Sequence, residues 1–175
     1  MIQLVPYDSS WPVRFEEEAQ GLRTVCGPCA LRIDHVGSTS IPGIAAKPVI
    51  DVQITVASLE PRGVWVERLA RLGYSHHQSP DDAEYPFFHR PAIWPHTHHV
   101  HLCLPGSAIG RATLALRDYL RDDPELRHAY EREKRRLADV HIGDTAARRE
   151  SYASGKSPFL GPLIERALRP GYPRE

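Results

Sequence analysis

Residues 48–56 read PVIDVQITV, a β-branched and mostly apolar run interrupted by one acid. Such a run fits a central strand. A carboxylate inside it is costly unless it binds a metal, accepts hydrogen bonds or faces a cleft. Strand alternation sends Asp51 and Gln53 to one face, and Ile50, Val52 and Ile54 to the other.

The residues upstream bear on that acid. A short strand is expected over 31–36, followed by Gly37-Ser38-Thr39-Ser40 and then the turn signal Pro42-Gly43. Small residues that follow a strand and open a helix make an anion site: free backbone N–H groups and the helix dipole point at the ligand, and hydroxyls add donors. Lys47 lies close by in sequence and can hold a phosphate oxygen as a mobile point charge. A glycine-serine cradle, a lysine and a strand carboxylate together suit a nucleoside phosphate with a divalent ion. The plainer alternative is a capped turn followed by a structural aspartate in a buried ion pair.

The rest of the chain divides by pattern. An amphipathic helix is expected over 11–25, with Pro12 in its first turn. A second covers 59–73 and ends at Gly73. Strands are expected over 74–78, 85–90 and 98–104. After Pro105-Gly106-Ser107 the pattern is helical, with helices over 107–121, 124–141 and 145–168. Gly155, Pro158, Gly161 and Pro162 disturb the last of these, and RPGYPRE reads as a loose tail. Strands early and helices late imply an α+β fold. We expect an α/β core over 1–106 with a helical cap over 107–175, packed as a single domain.

Lys+Arg and Asp+Glu both number 22, so the balanced charge provides no overall nucleic-acid signal. No apolar run approaches the roughly 20 residues of a membrane span. The start, MIQLVPYDSS, lacks a basic n-region and a long apolar stretch. A cytoplasmic protein without a signal peptide is therefore expected.

Several further side chains are candidates. In HTHHVHLC, alternation puts Thr97, His99 and His101 on one face. If this strand neighbours that of Asp51, then Asp51, His99 and His101 form a one-carboxylate, two-histidine set. It would suit a transition metal such as zinc or manganese, or serve as acid/base or phosphate contacts. A merely polar, exposed edge strand is the alternative. Lys134 and Lys156 each follow a tyrosine by four residues on helical stripes; they either snorkel or face an anion in a cleft. Arg117 and Arg121 make a basic edge that pairs or is solvated, and Arg90 ends its strand beside the histidines. Cys26-Gly27-Pro28-Cys29 has the spacing of a redox pair, but it follows a helix rather than opening one, so Gly27-Pro28 reads as a helix stop. The string HVHLCL resembles that of the histidine triad hydrolases, with Cys103 where the third histidine belongs; His101 would then be the nucleophile.

One resemblance spans nearly the whole chain. The segment HVGSTSIPGIAAKPVIDV resembles the signature of the GrpB family, as do YDSSWPVRFEEE, HTHHVHLCLPGS, LRDYLRDDPELRHAYEREKRRLA and YASGKSPFL. That family is similar to the nucleotidyltransferase superfamily of DNA polymerase β type. The resemblance implies a mixed sheet flanked by helices. It also implies Gly-Ser on a helix, paired acids on a strand, and two magnesium ions that align an in-line transfer. By position, Gly37 and Ser38 correspond to the phosphate-gripping pair, and Asp51 to the first acid. Gln53 stands where the second acid belongs. The expected function is divergent nucleotidyl or phosphoryl transfer on a nucleotide or other phosphorylated small molecule, with magnesium or another divalent metal. Phosphate contacts are expected from Gly37, Ser38, Thr39, Ser40, Lys47, Lys134 and Lys156. The alternative is a non-catalytic nucleotide-binding or sensing module.

Overall fold

The computed structural model describes residues 3–79, 82–141, 145–169 and 172–173. The strands are β1 (Ala30–Val36), β2 (Ile50–Val56), β3 (Ser75–His77), β4 (Phe87–Arg90) and β5 (His98–Cys103). They form one sheet in the order β1-β2-β5-β4-β3. The β2 and β5 strands run parallel, while the other pairs are antiparallel. The PVIDVQITV run is thus central, as its composition requires. The β2–β5 register sets Asp51 opposite His99 and Gln53 opposite His101.

Alternation divides the sheet into two faces. Ile50, Val52, Ile54 and Val56 join Val100, Leu102 and Phe88 in the main core. Helix α1 (Trp11–Cys26) covers that face with Trp11, Phe15, Ala19, Leu22 and Cys26, a stripe at helical spacing. Helix α2 (Arg62–Ala70) adds Trp65 and Leu69. It is shorter than its sequence pattern: Pro61 precedes it, and a turn carries the chain on to Gly73.

Four helices form the second half. In α3 (Ala108–Asp122), the Ser107 hydroxyl accepts from Gly110 N at 3.1 Å. In α4 (Pro124–Val140), Asp123 accepts from Leu126 N at 3.0 Å. Each side chain occupies an N-cap position and satisfies a free amide there. The single helix expected over 145–168 is two: α5 (Ala146–Ser154) and α6 (Ser157–Ala167). The break falls at Gly155-Lys156. A side chain at Gly155 would lie 2.9 Å from the Ser151 carbonyl and 3.0 Å from Leu137, so only glycine fits the junction. Pro158 suits the first turn of α6. Part of the expected tail lies outside the described residues.

A second cluster ties these helices to the segment after β1: Ile41 and Ile44 pack with Leu120, Tyr130 and Leu163. Arg121 donates two hydrogen bonds to the Ser40 carbonyl, at 2.9 and 2.7 Å. Arg117 donates to Asp118 at 2.7 Å and to the His35 carbonyl at 3.2 Å. Both arginines are paired, and they fasten α3 to β1 and its following turn. Among the described residues no helix is long and apolar enough to cross a membrane.

Candidate functional site

The polar face of the sheet and helices α4 and α5 line an open cavity of about 610 Å³. Asp51 and His99 stand in its wall, joined by a 2.9 Å hydrogen bond between His99 Nδ1 and Asp51 Oδ1. Burial pushes the Asp51 carboxyl up, but that bond and the charges of His99, His101 and Lys156 outweigh it, so its pKa lies below the usual value. Gly37 makes room for the acid. Its φ is +68°, and a Cβ there would sit 2.2 Å from Asp51 Oδ2.

The segment after Gly37 differs from expectation. Ser38–Ser40 is one 3-10 turn and opens no α-helix, so this segment presents no α-helix N-terminus to the cavity. Thr39 is 1 % exposed; its hydroxyl donates to the Val49 carbonyl at 3.0 Å and lies 3.0 Å from His35 Nε2. Ser40 is 4 % exposed and donates to the Gly37 carbonyl at 2.6 Å. These two hydroxyls hold the turn and do not line the cavity, which corrects the expectation that they grip phosphate. Gly37 serves by clearance; it too is absent from the cavity wall. Ser38 does reach the cavity, with its hydroxyl 3.3 Å from Tyr130 Oη.

Four cations line the same space: Lys47, Lys134, Arg149 and Lys156. Lys47 Nζ and Lys156 Nζ lie 4.1 and 5.1 Å from the centroid of the Tyr152 ring. Lys134 is 1 % exposed, donates to the Ala45 carbonyl and sits 4.7 Å from the Tyr130 centroid. Burial first, and then the neighbouring Lys156 charge, pull its pKa down to about 7. Among the described residues neither Lys134 nor Lys156 forms an ion pair with a carboxylate. Arg149 packs 4.3 Å over the Trp94 ring.

His101 is stacked between Tyr85 and Phe87, at 4.5 and 4.8 Å. Burial lowers its pKa to about 4 against the pull of Asp51, so the ring is neutral at pH 7. Its Nδ1 is buried and has no hydrogen-bond partner among the described residues. Gln53 is 1 % exposed and committed at both ends: Tyr85 Oη donates to its Oε1 at 3.0 Å, and its Nε2 donates to the Gly110 carbonyl at 3.3 Å. Where the resemblance implied a second acid, Gln53 is thus an amide that ties the sheet to α3. One oxygen of Asp51 is already held by His99, and among the described residues no three His, Cys, Asp or Glu side chains are grouped to hold a metal. The donor set does not fit the two-metal centre that the resemblance implied.

Other candidates lie elsewhere. Arg90 donates to the Leu72 carbonyl and to Glu18 on the α1 side of the sheet. Cys103 opens onto a different hollow beside Gln53, Thr55 and Ser107, so it does not complete a triad with His99 and His101. Cys26 lies in the main core, where burial pushes its thiol up to about 11, unlike a redox-active thiolate. Sequence reasoning missed His89, His96, Trp94, Arg149 and Tyr152, all on the cavity. The only signal for Trp94 and His96 was their position in PAIWPHTHH, beside the histidine strand.

A family model described as GrpB protein matches residues 1–166. The chain is 34% identical over 95% of its length to UPF0157 protein BH1888 of Halalkalibacterium halodurans and covers 82% of that protein. It is 34% identical to a dephospho-CoA kinase of Mycolicibacterium paratuberculosis, again over 95% of its own length, but covers 46% of that relative. The chain therefore spans most of one relative and about half of another. The solved structure of GrpB from Enterococcus faecalis superposes with a TM-score of 0.84 at 30% identity, over 95% of this chain and 98% of that one. With nearly its whole length matched in sequence and in fold, the chain belongs to the GrpB family.

Proposed function

We propose that the cavity binds a phosphorylated small molecule, with nucleotides as the leading class, and that the protein carries out transfer or hydrolysis at phosphorus. One observation carries this reading: Lys134 and Lys156 line one cavity, and among the described residues neither forms a salt bridge, so only the longer-range charges of Glu131 and Asp51 oppose theirs. Burying Lys134 without a counterion in contact is expensive, and an anionic ligand would supply that partner. A volume of about 610 Å³ is in the range of small-molecule sites. Trp94, Phe87 and the histidine rings offer flat apolar surface at the β4–β5 side. A phosphate toward the lysines and a planar ring toward Trp94 would match both sides. A relative named dephospho-CoA kinase makes dephospho-CoA a sensible member of a ligand panel.

A second reading is a nucleotide-sensing module without catalysis. It is favoured by Gln53, whose amide is fully committed where the superfamily has an acid. Calorimetric titration with ATP, with and without magnesium, separates the two. The enzyme reading expects binding in both conditions and turnover lost in Asp51→Asn. The sensing reading expects binding that survives Asp51→Asn and no turnover. If neither ATP nor dephospho-CoA binds, both readings are wrong.

A further inference from the structure

We infer that His96 is the proton acceptor of this site, oriented through His99 by Asp51, and that it activates water for metal-independent attack on a phosphoanhydride. The inference rests on the phosphate-binding reading above and adds a residue and a route to it.

Three side chains form a hydrogen-bonded chain. Asp51 Oδ1 lies 2.9 Å from His99 Nδ1, and His99 Nε2 lies 3.2 Å from His96 Nδ1. A carboxylate can only accept, so His99 Nδ1 carries a proton. Neutral His99 then has a lone pair on Nε2 and accepts from His96 Nδ1. Neutral His96 must in turn have its lone pair on Nε2. Among the described residues that nitrogen has no hydrogen-bond partner, and His96 lines the cavity. The ring is held in place from one side by His89, stacked at 4.0 Å and 11°. His89 is itself anchored through its Nδ1 to the Pro91 carbonyl at 3.1 Å. A base oriented by a second group, which is oriented by a carboxylate, is the arrangement general-base catalysis needs.

The route differs from two-metal chemistry because the second acid is absent and its replacement is committed elsewhere. The proton balance closes without a metal. A water oxygen bonds to phosphorus while its proton passes to His96 Nε2. The bond from phosphorus to the leaving oxygen breaks, and the leaving phosphate keeps the electron pair as an anion against Lys134 and Lys156. His96 then releases its proton to solvent. Burial first, and the charge of Arg149 beside it, hold free His96 neutral. A bound phosphate opposes that charge and raises the basicity of the ring when substrate is present. Asp51 and His99 are positioning residues in this scheme.

The test uses the intact chain and two readouts. In the first, diethyl pyrocarbonate acylates unprotonated imidazole nitrogens, and the sites are mapped by mass. His96 should react, pyrophosphate should shield it, and Asp51→Asn should slow it while leaving His89 unchanged. In the second, each of the four common nucleoside triphosphates is supplied in excess EDTA. Turnover of at least one should persist, and should fall about 100-fold or more in His96→Asn with ATP affinity retained. A His96 that does not react, or reacts equally in Asp51→Asn, overturns the inference, as does turnover that EDTA abolishes. Pyrophosphate binding is measured on the same samples. Loss of that binding would refute the phosphate site itself, whereas binding without protection of His96 refutes the relay alone.

Discussion

The two faces of the central sheet both bury charged groups, but they balance them differently. On the α1 side, Glu18 accepts from Arg90 at 2.6 Å and from Tyr74 at 2.9 Å, and Arg90 also lies 3.1 Å from His98 Nδ1. One acid faces one arginine there, and both belong to the scaffold. On the cavity side, Lys134 and Lys156 touch aromatic rings and a carbonyl but no acid, and Glu131 and Asp51 act on them only at longer range. A fold pays desolvation for buried charge in either case. Where the charges cancel internally, the group holds the structure together. Where they do not, the imbalance points to something that binds.

The comparison can be broken most severely from the scaffold side. Leu22 is fully buried in the core beneath the sheet. Leu22→Ala should cost about 2–5 kcal/mol in chemical denaturation. Pyrophosphate affinity of the folded variant should not change. A parallel loss of affinity would mean that the two faces are not separable.

Lys134→Met tests the other face and should act in the opposite direction. Removing an unbalanced buried charge while keeping the side-chain length should raise stability by about 1–4 kcal/mol. Anion binding should weaken. The same charge predicts a pH dependence. Its pKa falls from 10.5 in the unfolded chain to about 7 in the folded one. Between those values the unfolded chain holds more protons, so this group makes stability rise with pH, and its penalty is complete below pH 7. The rise should be missing in Lys134→Met. A variant that is less stable than the parent would instead make the lysine a scaffold residue.

The smallest expected effect concerns the second acid position. Gln53→Glu supplies the acid that the resemblance implied but replaces the donor that faces the Gly110 carbonyl. It should cost about 1–3 kcal/mol, because a buried acceptor is left facing an acceptor. It should create no magnesium-dependent ATP binding. Tighter binding with magnesium would show that the position still reads as a metal site.

Much of this arrangement is legible in the sequence, because it follows from local periodicity. The alternation in PVIDVQITV and HTHHVHLC puts Asp51, His99 and His101 on one face, and β2–β5 pairing makes Asp51 and His99 neighbours. The stripe on α1 and the caps Ser107 and Asp123 are equally local signals. What periodicity does not carry is depth. Thr39 and Ser40 look like ligand donors in the sequence, but the Arg121 contacts draw their turn under α3. Nor does it carry what distant segments deliver. Arg149 meets Trp94 only because α5 folds back over the β4–β5 loop, and His96 meets His99 only because that loop turns inward. Gly155 and Pro158 mark a disturbance in the sequence, but no local pattern contains the tight space beside Leu137 that a side chain at 155 would meet.

Calorimetric titration of the chain with pyrophosphate in EDTA tests the central claim most directly. Binding should be saturable and should weaken about tenfold or more in Lys156→Met, as expected when a desolvated anion loses a charged partner. Absence of binding to the parent, or an affinity unchanged in Lys156→Met and Lys134→Met alike, would contradict it.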